Sequence, residues 1–330
     1  MTAEHDVTFP AMGSHVRLLI GESGPDLPPA AVAAAEAQSF VADFEATLSR
    51  FDRESELSAL NRDRRERVPA SPLLRRAVAA GLVAAEQSGG LVDPTLVEEI
   101  ERTGYVASRA WMAPASLPAA LAQAPARRPA GSRPEERWRQ WRVDEEAGEI
   151  VRPPGHRFDS GGSGKGLAAD LLAIKLAGYR SFVVDCGGDI RVGGVDAPFR
   201  PRVVQVEHPL SGKPLYAIRV SAGGVATSGL DRRIWRDACG RYAHHLLDPA
   251  TGEPAWTGLI ATTALAATAL EAETLAKAAL LSGPARGAEL LRRGGGLLVH
   301  DSGRVELVGS LAGRPRVRLP RPDTTLEAAA

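Results

Sequence analysis

The stretch from 159 to 194 limits the fold more than any other part of the chain. DSGGSGKGLAADLLAIKLAG (159–178) reads as a glycine turn that feeds a helix. FVVDCGGDIRVGG (182–194) reads as a buried strand, a second glycine turn and another strand. Strands and helices continue to intersperse on both sides. A strand is expected at 16–20, an Ala-rich helix over about 28–48 that breaks before Phe51, and a helix over 72–87 closed by Gly89 and Gly90. Later come strands at 202–207 and 216–221, a polar turn at ATSG (226–229), a strand near 260–266 and a helix over about 268–282. A last strand pair is expected at 296–300 and 305–308. Residues 106–150 are rich in Ala, Pro, Arg and Trp with weak periodicity, and read as a variable excursion holding a short strand near 141–143. The pattern predicts one mixed α/β (α+β) domain over 1–320 with two lobes, not a regular βαβ array, followed by a loose tail at 321–330.

At 330 residues with 44% hydrophobic residues, the chain is long enough for a sizeable core. Forty basic and forty acidic residues cancel, which argues against a chain-wide basic field for nucleic acid or anionic membranes. No apolar run reaches 18 residues, so no membrane span is expected. The N-terminus lacks the basic and apolar regions of a signal peptide, and Cys186 and Cys239 alone fit a reducing cytoplasm better than a disulfide scaffold.

Four segments are candidates for chemistry. In the first glycine turn a P-loop would need Gly at 159 and Ser or Thr at 166; Asp159 and Gly166 stand there, and the G-x-G-x-G spacing of 162, 164 and 166 is not a dinucleotide fingerprint. The physics of phosphate binding remains: glycines let backbone N–H groups approach an anion, a helix N-terminus follows, and Lys165 adds charge. A plain capped turn with a solvated lysine fits the same residues. Asp185-Cys-Gly-Gly-Asp189 and ATSG, with Thr227 and Ser228 side by side, read either as contact loops or as ordinary turns. His245 is a candidate proton-transfer group. Asp248, before Pro-Ala-Thr-Gly, is a turn former as readily as a catalytic carboxylate.

Seven segments, in order, resemble those of the FAD:protein FMN transferases, the ApbE family. FPAMGSHV resembles its A-M-G-T, LSRFDRESELSALN its S-x-Y/F-x-x-x-S-x-L-x-x-x-N, and GGLVDPTL its G-x-x-D-x-T-V. DSGGSGKGLAAD is similar to D-L-G-G-x-x-K-G-x-A-x-D, VDCGGDIRVGG to N-x-G-G-D-I-x-x-x-G, and HHLLDPATGEP to H-x-I-D-P-x-T-G-x-P; ATSG is the same tetrapeptide. The resemblance runs from Phe9 to about Gly283, leaving 106–150 unplaced.

It implies a two-lobed fold that binds FAD between the lobes and moves FMN onto a Thr or Ser of an acceptor flavoprotein, with release of AMP. By match, Met12, Phe51, Leu91, Val92, Asp93, Asp159, Lys165, Thr227, Ser228 and Leu247 contact FAD. His245 is the base, with Asp248 beside it. A magnesium ion would be held by Gly162 and by Glu273 on the late helix. There the chain departs from the family pattern, A-D-x-x-[DSA]-T. Glu273 replaces the Asp, Ala276 offers no side-chain ligand, and Lys277 stands where a Thr is expected. An i, i+4 Glu–Lys pair is by itself an ordinary helix salt bridge. Within the resemblance, Lys277 either takes the metal's place against FAD or marks a flavin-binding relative with lost or altered chemistry, such as FAD hydrolysis to FMN and AMP.

Overall fold

Eight strands follow one another across a single antiparallel sheet in chain order: β1 (His5–Ala11), β2 (Ser14–Ile20), β3 (Phe182–Cys186), β4 (Asp189–Gly193), β5 (Gly223–Gly229), β6 (Leu259–Ala266), β7 (Gly296–His300) and β8 (Val305–Val308). The computed structural model describes residues 4–312 and the backbone of 325–328. Both faces of the sheet centre are covered. Along β3, Phe182, Val184 and Cys186 enter one apolar core while Val183 enters a second, as the two-residue period of a strand requires. That explains why FVVDC is apolar at nearly every position.

The first core holds α1 (Ala30–Leu48), α2 (Pro72–Gln87) and α3 (Gly164–Leu176). In α1 the buried stripe Ala33, Ala34, Ala37, Val41, Phe44, Leu48 recurs at helical spacing. The hydroxyl of Ser71 caps α2 by accepting the Leu74 N–H, and Pro72 opens the helix. The second core holds α4 (Ala269–Leu291) and a strand pair, Arg202–Glu207 with Pro214–Val220. α4 is interrupted at Gly283, which has φ 74° ahead of Pro284. The break falls where the sequence places the helix end.

Three expectations need correction. ATSG is not a polar turn but the end of β5, a fully buried strand paired on both sides. Its threonine hydroxyl is satisfied across the sheet: Thr227 Oγ1 lies 2.9 Å from Thr263 Oγ1, its register partner on β6. Small residues suit the site because α4 starts directly above it; a Cβ at Gly224 would collide with the Thr268 carbonyl. β1 is an additional strand ahead of the expected opening one. Within the tail read as loose, Thr325–Ala328 adds a parallel strand to Arg202–Glu207, and the rest of 321–330 lies outside the described residues.

The excursion 106–150 contains a short helix, Leu117–Gln123, and the strand Arg142–Asp144 at the expected place. It is tied to the later half of the chain. Arg127 pairs with Asp301 at 2.7 Å, and the Ala130 N–H donates to the Leu281 carbonyl at 2.8 Å. No helix among the described residues is long and apolar enough to cross a membrane.

Candidate functional site

α3 and α4 meet at a glycine. A Cβ at Gly166 would lie 2.7 Å from Leu270 Cα and 2.8 Å from the Ala269 carbonyl oxygen. Asp170, one turn on, accepts the Ala269 and Leu270 N–H groups at 2.9 and 3.0 Å, capping α4 with a carboxylate. The Gly166 N–H donates to Glu273 Oε2 at 2.9 Å, and Lys277 Nζ donates to Glu273 Oε1 at 2.7 Å. These contacts fix the rotation of α4. Glu273 and Ala276 are fully buried, while the Lys277 side chain, 12% exposed, reaches a cleft.

The cleft lies where the two cores meet. Its lining includes Phe44, Leu48 and Phe51, Leu91, Val92 and Asp93, and His245, Leu246, Leu247, Lys277 and Leu281. Met12 and the glycine turn from Asp159 to Lys165 complete it. Sequence-selected residues Met12, Phe51, Leu91, Val92, Asp93, Asp159, Gly162, Lys165, His245, Leu247 and Lys277 are thus brought together. Thr227, Ser228, Asp248 and Glu273 do not line the cleft. The first two belong to buried β5. Asp248 Oδ1 instead accepts the Gly131 and Ala250 N–H groups at 2.9 and 3.1 Å, so its carboxylate joins the excursion to the turn after β-strand Leu247–Asp248.

A small hairpin, Ile234–Arg236 with Tyr242–His244, places His245. Ile234 pairs with His244, so Arg233 and His245 leave the ladder at the same end and both enter the cleft. Trp235 anchors the hairpin: its Nε1 donates to the Thr103 carbonyl at 2.7 Å and its ring stacks on Tyr105 at 5.3 Å. Burial, then the charge of Arg233, the neighbouring His244 and the charge of Lys277, push the His245 pKa well below the ordinary histidine value. Its imidazole is neutral at pH 7 and able to take a proton.

Lys165 Nζ sits 2.6 Å from Asp189 Oδ2 and donates to the Gly187 carbonyl at 3.2 Å. Burial works against its charge, but Asp189 and Glu273 outweigh this and raise its pKa. Asp93 Oδ1 accepts from Thr95 N–H and Oγ1–H at 2.8 and 2.6 Å, whereas its buried Oδ2 has no partner; burial raises this carboxyl. Asp93 lines the cleft, and a buried acceptor left without a partner beside it suits a ligand with N–H or O–H groups. Phe51, 37% exposed, presents a ring held edge-on by Tyr105 at 5.3 Å and covered by the Arg50 guanidinium at 4.5 Å.

Arg50, Tyr105 and Arg233 escaped the sequence reading. Arg50 bonds Asp159 Oδ2 at 3.1 Å and the Tyr105 carbonyl at 3.1 Å, contacts across 109 and 55 residues. Arg233 sits in Asp-Arg-Arg-Ile-Trp, where nothing local separates it from exposed Arg232. Only the hairpin register does.

The α4 side chains at the positions expected for magnesium do not fit such an ion. Both Glu273 oxygens are already engaged, Ala276 is packed in the second core, and Lys277 supplies an ammonium. No cluster of three or more His, Cys, Asp or Glu suited to a metal occurs among the described residues.

Comparison with known proteins agrees with the fold and the order of the segments. The chain is 30% identical over 136 residues to an FAD:protein FMN transferase of Escherichia coli K12, covering 40% of this chain and 38% of that relative. It is 29% identical over 269 residues to one of Treponema pallidum, covering 74% and 69%. The chain therefore spans about two-fifths of the first relative's length. The crystal structure of an ApbE protein from Thermotoga maritima superposes with a TM-score of 0.74 at 23% identity, covering 93% of this chain and 97% of that one. The apo form of the Pseudomonas stutzeri flavinyl transferase ApbE gives 0.74 at 22%, covering 95% and 98%. These two likenesses are of fold. The sequence pattern of the ApbE family matches residues 12–299, and the chain belongs to that family.

Proposed function

We propose that the chain is an FAD:protein FMN transferase. The observation that carries this reading is one cleft lined by a neutral imidazole, His245, by the glycine turn 159–165 and by the cation Lys277. The isoalloxazine ring stacks on Phe51, Asp93 Oδ2 accepts from a hydroxyl or N–H of the flavin half, and the diphosphate lies against the glycine turn. A Ser or Thr oxygen of an acceptor flavoprotein bonds to the FMN phosphorus while His245 takes its proton. The bond from that phosphorus to the bridging oxygen breaks, and AMP leaves with the oxygen. Fixed cations aimed at the diphosphate stabilise the charge that develops there. Asp248 acts as a positioning residue, tying the strand that carries Leu247, two residues after His245, to the excursion at Gly131. A reducing, cytoplasmic setting agrees with free cysteines, Cys186 buried and Cys239 exposed.

The test is to incubate purified protein with FAD, with and without a flavoprotein acceptor. Covalent FMN is read by intact mass and AMP by chromatography. Equal amounts of AMP and FMN-acceptor support the transferase. AMP and free FMN without acceptor adduct support FAD hydrolysis, and no AMP under either condition leaves flavin binding alone. That second reading is favoured by one observation, the ammonium–carboxylate pair at the position expected for metal ligands.

A further inference from the structure

We propose that the cleft carries the diphosphate of its dinucleotide on Lys277 and Arg233 and takes no divalent cation. The proposal rests on the flavin-dinucleotide reading above. Magnesium demands oxygen ligands in near-octahedral geometry. Two of the acidic residues beside the cleft have ammonium partners instead: Glu273 has Lys277 at 2.7 Å, and Asp189 has Lys165 at 2.6 Å. A metal would have to displace Lys277 and the Gly166 N–H from a carboxylate with no exposed surface.

The arrangement is already that of an anion site. Lys277 uses one ammonium hydrogen on Glu273 and keeps two donors for phosphate oxygens. Arg233 lines the same cleft and forms no ion pair among the described residues. It leaves the hairpin ladder at the same end as His245, and Lys165 lines the same cleft. The Glu273–Lys277 and Asp189–Lys165 pairs are each neutral overall, so among these five groups Arg233 supplies the unpaired positive charge toward a doubly negative diphosphate. Guanidinium and ammonium groups bind phosphate through charge-assisted hydrogen bonds. The backbone N–H groups of the glycine turn add uncharged donors.

Equilibrium titration with FAD, followed by flavin fluorescence, tests this in EDTA and again in excess magnesium chloride. Affinity is expected to agree within about twofold between the two media. Lys277→Met and Arg233→Met should each weaken binding by about tenfold or more in both media, from the loss of a hydrogen bond to a charged group. Arg233→Lys should recover part of the loss. Circular dichroism of each variant separates weak binding from failure to fold, and Arg233 keeps the test usable if the Lys277 variant unfolds. Magnesium that tightens FAD binding more than about tenfold overturns the metal-free account while leaving the flavin reading intact. So does unchanged affinity in folded Lys277→Met and Arg233→Met proteins. Absence of FAD binding in both media overturns the flavin reading itself, and this proposal with it.

Discussion

Replacing Lys277 with methionine keeps the apolar stem and removes the ammonium 2.7 Å from Glu273 Oε1. Glu273, fully buried, then retains the Gly166 N–H on its other oxygen. Stranding a buried carboxylate in this way costs several kcal/mol, but the group can escape by binding a proton. From an ordinary value of 4.5, protonation at pH 7 costs about 3.4 kcal/mol, which caps the loss. At pH 5 the same step costs about 0.7 kcal/mol. Burial, and next the charge of Asp189, already raise this carboxyl in the intact protein; without Lys277 it rises further. An acid raised on folding loses stability as pH climbs from its unfolded value through its folded one. The variant is therefore expected to be destabilised by about 3 kcal/mol at pH 7 and by less than about 1 kcal/mol at pH 5. Adding Glu273→Gln should restore most of the loss, because the amide oxygen still accepts the Gly166 N–H. Urea denaturation of the wild type, both single variants and the double variant at the two pH values gives the cycle. A cost below about 0.5 kcal/mol at pH 7, equal costs at both pH values, or no recovery with Glu273→Gln would refute a buried, charge-compensated pair.

Three further outcomes are expected. His245→Asn should lower AMP release by about 10²–10⁴-fold, the range for loss of a general base, with FAD affinity changed less than about threefold; comparable losses in both would make His245 a binding residue. Gly166→Ala should destabilise the protein by about 1–3 kcal/mol, since its Cβ meets α4 backbone that cannot yield cheaply; an unchanged urea midpoint would mean that the two helices are not in such contact. Burial pushes the His244 pKa down to about 3, so its neutral form favours folding above the unfolded value near 6.5 and loses that advantage as pH falls. Wild type should lose about 2 kcal/mol more than His244→Asn between pH 7 and pH 5, and parallel stability curves would contradict this.

Much of this architecture was legible because its punctuation is local. The helix start at Pro72, the glycine turns and the apolar run FVVDC each act over a few residues, and the elements they delimit lie where expected. β5 was not legible. Its Thr and Ser mimic a turn in isolation and become strand residues only when Thr263 meets Thr227 across the sheet. The cleft residues found by motif lie in short segments that each keep the family's pattern within a few residues, or, as Lys277, depart from it at a fixed position. Arg233 and Arg50 depend on a hairpin register and on contacts across 55 or more residues, which no window of sequence contains. Glu273 and Lys277 were identified as a pair, but only the rotation of α4, set by Gly166 and Asp170, shows that one is buried and the other faces the cleft.

The most direct measurement is a crystal structure of the protein soaked with FAD. The expected density places the diphosphate between the 159–165 turn and Lys277 Nζ, within hydrogen-bond distance of the Arg233 guanidinium, with the isoalloxazine on Phe51 and His245 facing the FMN phosphorus. FAD bound elsewhere, or a metal ion bridging Glu273 to the diphosphate with Lys277 turned away, would contradict the account.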